Sequence, residues 1–255
     1  MSHAEEEVER LLAELRHFVA AAPFRISPHA VAMDFFCKRL SGDRRRLMSL
    51  ACASRVAPFV DAAIAAIPRL ASGDAAAFTS AVDQAFELLR TKGSIDAISL
   101  LQKYLELLNE GAISEAQGGQ GESLVEEVLT PAMRILAAVI SEDGMTVKHR
   151  DEDDRELCAR SYDSANEVCR IANALVDPGK FPDSDEGGIP PWVLESVELD
   201  SQWRTIEILL PDVEIGKRIE SVRVFSVKCR KQNMRLTKHS AEKWQKELST
   251  QGRNV

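Results

Sequence analysis

At 255 residues, 45 % hydrophobic and 28 % charged, the chain has the composition of a globular protein of one large or two smaller domains, long enough to bury a core without staples. Its five cysteines (Cys37, Cys52, Cys158, Cys169, Cys229) are odd in number, widely spaced and free of any CxxC, which argues against a disulfide framework and for reduced thiols. The acidic start (Glu5, Glu6, Glu7) is unlike a secretory leader, no apolar run approaches the roughly 18 residues of a membrane span, and no N-x-S/T acceptor occurs, so the expected setting is cytosol or nucleus with no membrane partner.

Alanine and leucine dominate and aromatics make up only 5 %, a mixture that favours helices. Ser2 and Glu5 have capping-box spacing ahead of Val8, Leu11, Leu12, Leu15, Phe18 and Val19, and Pro23 ends that first helix. Ser27-Pro28 reads as an N-cap followed by proline at the first helical position; the helix it opens carries Val31, Phe35, Phe36 and Leu40 and ends near Gly42. Residues 43–71 are more apolar helical material, with Pro58 and Pro68 as starts or breaks. Asp74 is placed to cap a helix bearing Phe78, Val82, Phe86 and Leu89, and Gly93 suits its close. Ser94 begins the next, with Leu101, Tyr104, Leu105 and Leu108 on one side, closing at Gly111.

Residues 111–122 read as a flexible loop. Thr130-Pro131 then repeats the cap-then-proline signal ahead of Met133, Leu136, Ala137 and Ile140. Past a polar segment, 142–154, the residues Cys158, Tyr162, Ala165, Cys169, Ala172 and Val176 recur by four and three as one helical stripe. Residues 177–191 (DPGKFPDSDEGGIPP) are a linker by composition. The expected fold is all-α: a helical bundle or irregular helical-repeat stack over 1–180, then a small C-terminal helical bundle over 181–255. Periodicity alone leaves strands open within 192–228, where Ile206, Ile208 and Leu210, and then Val222 and Val224, alternate.

Charge is unevenly spread. The net charge is −8, yet residues 217–246 hold ten Lys or Arg against two acids, Glu220 and Glu242. Such a basic end on an acidic chain points to a polar partner. Residues 205–248 also carry a pattern: Thr205, Ile206, Glu207, Ile208 and Leu209, then Ile215-Gly216-Lys217, then Ile219, Val222 and Arg223, and finally Leu236, Lys238, Lys243, Trp244, Lys246 and Leu248. This resembles the N-terminal domain of transcription elongation factor TFIIS, a small helical bundle also present in elongins and in an integrase-binding chromatin-tethering factor. Ser240 departs from the pattern, as do Val224-Phe225 where Lys-His commonly follows the Arg. The resemblance implies helices throughout the tail. It implies an interior lined by Ile206, Leu209, Ile215, Ile219 and Val222, with Leu236 and Trp244 opposite. It also implies a docking role toward acidic disordered peptides with aromatic anchors.

No catalytic constellation emerges. His149-Arg150-Asp151 matches a kinase catalytic-loop triplet, but Glu156 stands where asparagine is needed. Gly118-Gly119-Gln120-Gly121, Gly179-Lys180 and Gly216-Lys217 lack the remainder of a phosphate loop. The histidines show no metal spacing, so no metal or cofactor is expected. Trp192, Trp203 and Trp244 read as core anchors, with one of them framing a peptide groove as the sharper alternative. The expected function is a non-enzymatic adaptor, nuclear and transcription-associated. An apolar groove near Ile219, Val222 and Phe225 would take the peptide's aromatic side chain, and Lys217, Arg218, Arg223 and Lys228 would steer its carboxylates. A cytosolic scaffold without a transcription role, and nucleic-acid binding through 217–246, are the alternatives.

Overall fold

The computed structural model describes residues 28–67, 76–92, 94–118, 124–141, 154–176 and 193–251, with the isolated positions 10, 13 and 17. Among them are eight packed α-helices and no strand: α1 Pro28–Arg39, α2 Gly42–Ala66, α3 Ala77–Thr91, α4 Ser94–Gly118, α5 Leu124–Ser141, α6 Asp154–Val176, α7 Val193–Leu209 and α8 Ile215–Gln251. The strand alternative for 192–228 therefore fails, because its apolar residues serve two helices. The proposed first helix apart from positions 10, 13 and 17, the linker 177–191, the kinase-like triplet and the side chains of Cys158, Leu236 and Trp244 lie outside the described residues.

Helix α2 is the centre. It packs against α3, α5, α6, α7 and α8. Among the described residues it alone is long and apolar enough to cross a membrane, contrary to the sequence expectation. Its apolar window is 89 % buried inside the fold, the mark of a core helix. Leu47, Met48, Leu50, Val56, Phe59 and Val60 are buried around its whole circumference, and Ala51, Ala53, Ala57 and Ala63 let neighbours approach closely. Burying each large aliphatic side chain contributes roughly 1.5–3 kcal/mol.

The polar residues of α2 distribute that packing. Five of them are buried: Arg46, Ser49, Ser54, Arg55 and Asp61. Each addresses a different neighbour. Arg46 Nε donates to the Val139 carbonyl of α5 at 3.2 Å. Ser49 shares a 3.0 Å hydroxyl bond with Ser161 of α6. Ser54 Oγ accepts from Arg230 of α8 at 3.5 Å. Arg55 forks onto Glu198 of α7, with Nε to Oε2 and Nη2 to Oε1 both at 2.8 Å. Asp61 accepts the backbone N–H groups of Phe78 and Thr79 at 2.9 and 3.2 Å, so it caps α3 from another helix. Asp74, the cap expected from sequence, lies outside the described residues; Ala76 stands at the N-cap of this helix and its methyl group accepts no hydrogen bond.

Arg44 and Arg45 sit in the first turn of α2, where the helix dipole disfavours cations, and Arg46 follows directly. Their guanidiniums instead serve the carbonyl-rich ends of other helices. Arg44 Nη1 donates to Leu210 O at 3.2 Å, Arg45 Nη1 to Leu40 O at 2.9 Å and Arg46 to Val139 O. These are the ends of α7, α1 and α5, whose last carbonyls lack intrahelical partners.

Three boundaries differ from the sequence expectation. Pro58 lies inside α2 and Pro131 inside α5, rather than at helix starts. An interior proline costs about 3 kcal/mol, which the burial of both helices offsets. Helix α4 continues past Gly111 to Gly118, because a glycine within a helix costs only about 1 kcal/mol. By contrast α1 begins at Pro28, as its cap-then-proline signal implies, and Phe78, Val82 and Phe86 are buried at the spacing foreseen for α3.

Leu194, Ile206, Leu209, Ile219 and Val222 belong to the same continuous core as Phe36, Met48, Phe86 and Leu136. The boundary placed at 180/181 thus separates stretches of sequence that share one interior. Ile215 is the exception in the expected lining, being 46 % exposed. Trp203 packs on that core, edge-on to Phe36 with ring centroids 5.7 Å apart, so it anchors rather than frames a groove.

Substitutions at two contacts check this frame. Neutralising either member of the Arg55–Glu198 pair alone, as Arg55→Met or Glu198→Leu, should cost about 3–5 kcal/mol in urea unfolding, because the survivor is a buried uncompensated charge. The double variant should lose less than the sum of the two. Asp61→Ala should cost about 1–2 kcal/mol in the same assay, from two orphaned N–H groups at the start of α3.

Candidate peptide-docking surface

Helices α7 and α8 form an antiparallel pair joined by the turn Leu210–Glu214. Pro211 ends α7, and the Val213 N–H closes onto the Pro211 carbonyl at 3.1 Å. At 100° per residue, α8 divides into two faces. Ile219, Val222, Ser226, Cys229, Arg230 and Asn233 are buried on the inner face, and Lys217, Ser221, Val224, Lys228 and Lys231 are exposed on the outer one. Phe225 stands half-buried at the edge.

The inner face is fixed by polar contacts. Arg230 forks onto Asp83 of α3 with both bonds at 2.8 Å. Asn233 Nδ2 donates to the Arg55 carbonyl at 3.0 Å, one residue beyond the Ser54 carbonyl that loses its helical donor to Pro58. On α7, Glu198 Oε1 also accepts from Gln202 Nε2 at 2.9 Å, and Thr205 Oγ1 accepts from Arg55 Nη1 at 3.0 Å. Burial works against the charge on Arg55, but the Glu198 carboxylate outweighs it and the guanidinium holds its proton more tightly than in water.

Two depressions open outward and share Phe225 and Lys228. One is a groove of about 330 Å³ between the helices, with Val197, Ser201 and Arg204 of α7 facing Phe225, Lys228 and Cys229 of α8. The other lies on the outer face of α8, lined by Lys217, Glu220, Ser221, Val224, Phe225 and Lys228. Cys229 is only 7 % exposed, beside the Ser201 hydroxyl at 3.4 Å. Burial pushes its thiol up from the ordinary range, against the hydrogen bond from Ser201 and the charge of Arg55.

Of the seven residues expected at the site, Lys217, Phe225 and Lys228 come together at the surface. The other four do not. Ile219 and Val222 are buried in the core, since their spacing of three is the seam of the helix against its neighbours. Arg218 is buried, and its Nη2 donates to the Pro211 carbonyl at 3.0 Å. Arg223 Nη1 bridges Glu87 and Glu220, each at 3.4 Å. Across 217–231 the arginines are thus built into the fold and the lysines face water, so the surface is less basic than the sequence suggests. Val224, Val197 and Arg204 were missed; a helical wheel over 215–233 would have placed Val224 with the lysines.

Among the described residues no group of three or more histidine, cysteine or acidic side chains converges as a metal site. Native Cys229 should react with iodoacetamide at pH 8 at least about tenfold more slowly than in the urea-unfolded chain, with the alkylated residue identified by peptide mass mapping. No protein-family model, curated protein or solved structure matches the chain.

Proposed function

We propose that this is a non-enzymatic docking protein that captures acidic, disordered peptide segments on the α8 surface, one aromatic side chain of the peptide entering the groove beside Phe225. One observation carries the reading. Val224, 60 % exposed, and half-buried Phe225 are flanked by Lys217, Lys228 and Lys231, none with an ion-pair partner among the described residues, on a chain of net charge −8. Exposed apolar surface beside three cations, with Glu220 and Asp200 engaged by Arg223 and Arg204, complements a peptide that carries both an aromatic anchor and carboxylates. The acidic remainder does not forbid this, because screening acts over about 8 Å at physiological ionic strength and the nearest charges dominate.

In this reading residues 1–180 are the helical scaffold and 181–255 carry the docking surface. The TFIIS-like pattern over 205–248 supports a transcription-associated adaptor in the nucleus. Nucleic acid is the weaker partner. The guanidiniums of Arg223 and Arg230 are held by carboxylates of the fold, which leaves the outer face of α8 without the forked donors that read base edges.

The test is an anisotropy titration of the full chain with a labelled acidic peptide bearing one Phe or Trp, run beside duplex and single-stranded DNA. Phe225→Ala should weaken peptide binding by about 2 kcal/mol as loss of the apolar contact. Lys217→Glu with Lys228→Glu should slow association and flatten its salt dependence while unfolding stays unchanged. Tight, steeply salt-dependent DNA binding without peptide binding would replace this reading with the nucleic-acid one. Silence from all probes would leave a plain scaffold.

A further inference from the structure

We infer that the turn between α7 and α8 is a binding site for a phosphoryl anion, with the guanidiniums of Arg44 and Arg218 as its two cationic jaws and the Asp212 carboxylate as a built-in placeholder. The site is separate from the groove beside Phe225 and does not depend on that reading.

Arg44 leaves the first turn of α2 and Arg218 the first turn of α8, so both cations issue from positive helix ends. Arg44 Nη1 donates to the Leu210 carbonyl at 3.2 Å, and Arg218 Nη2 to the next carbonyl, Pro211, at 3.0 Å. The Nη2 atoms of both then face one oxygen, Asp212 Oδ1, at 3.5 and 3.8 Å. Those are loose contacts for a charge pair, and the Asp212 side chain is 88 % exposed. Asp43, the other nearby carboxylate, is 73 % exposed and lies 3.5 Å from Arg46. Two guanidiniums thus meet one weakly held monoanion.

The second observation is an orphan. Arg218 Nε is buried and donates to nothing, although the Arg218 side chain is only 8 % exposed. Nε and Nη2 form one edge of the guanidinium, the fork that takes an oxyanion through two parallel bonds. A buried charged donor without a partner is costly, and an anion at the site is a direct remedy. Burial and the neighbouring Arg44 both lower the hold of Arg218 on its proton, with Asp212 and Asp43 acting against them, which is the electrostatic state of a site short of negative charge. A phosphoryl group carries about −1.5 to −2 charges and offers three or more acceptor oxygens, enough to engage both jaws where one carboxylate reaches neither well. Asp212 is exposed, so an anion that takes its place meets the Nη2 atoms of both arginines directly from solvent.

Inorganic phosphate or a phosphorylated side chain of a partner would present the same chemistry. The test is calorimetric titration of the full chain with inorganic phosphate, and with a short phosphoserine peptide beside its unphosphorylated form, at constant ionic strength set with chloride. Saturable phosphate binding with a rising unfolding temperature is expected. Asp212→Asn should tighten it about two- to fivefold by removing the competitor. Arg44→Gln should weaken it at least about tenfold, and Arg44→Lys, which keeps the charge and loses the fork, should weaken it too. Lys103→Gln, an exposed lysine on α4, should change nothing. Phosphopeptide tighter than inorganic phosphate assigns the anion to a partner; the reverse assigns it to free phosphate; both keep the site. A response no different from chloride, or equal losses in the Arg44 and Lys103 variants by proteins with unchanged circular dichroism, would overturn it. Lys217→Glu with Lys228→Glu can abolish peptide docking in the groove without bearing on the jaws, so the two readings fail separately.

Discussion

The fork of Arg55 on Glu198 is the contact on which the rest of the arrangement depends. Both side chains are fully buried, so neither charge has water to fall back on. A buried pair of this kind does little for net stability compared with well-packed apolar residues, but it is unforgiving of misplacement. Glu198 is itself oriented by Gln202, whose amide also reaches the Tyr162 carbonyl and Asn166 Oδ1 of α6 at 3.1 and 3.0 Å. The ion pair therefore fixes α2, α6 and α7 together. An all-round apolar helix such as α2 could rotate or slide among neighbours of similar texture. Its five buried polar residues, each with a partner on a different helix, remove that freedom.

The same logic sorts the cations. Arginine's planar fork reaches carboxylates and helix-end carbonyls with little loss of rotamer freedom per bond, while lysine's ammonium stays hydrated. Arg44, Arg45, Arg46, Arg55, Arg218 and Arg230 accordingly hold helix ends or buried acids, and Lys217, Lys228 and Lys231 are left in water. Net charge over a stretch of sequence counts both kinds alike. On the outer face of α8 a partner meets only the second.

The helical class was legible because Phe78, Val82 and Phe86, or Tyr162, Ala165 and Cys169, recur at spacings only a helix can bury on one side. Start signals were legible where local chemistry decides, as at Pro28. They misled at Pro58 and Pro131, where burial overrides the local penalty, and no local signal announced Asp61, which bonds the first turn of α3 from a distant stretch of sequence. The site was half legible. Lys217, Phe225 and Lys228 stand out by type, but only the phase of α8 separates them from Ile219 and Val222, and that phase is set by contacts with α2 and α3. The partnership of Arg55 with Glu198 leaves no local trace at all, since nothing near either residue in sequence names the other.

That last separation bears on how the chain is made. Arg55 and Glu198 are 143 residues apart, Ser54 and Arg230 are 176, and Asn233 reaches back 178 to the Arg55 carbonyl. At about 5–20 residues per second of synthesis, α2 waits on the order of ten seconds for the side chains that satisfy its polar groups. During that interval the central helix of the fold has its charges unmatched and much of its surface uncovered. Until α7 and α8 are made, the buried polar groups of α2 have no partners to hold them, so the core can close only after both are in place.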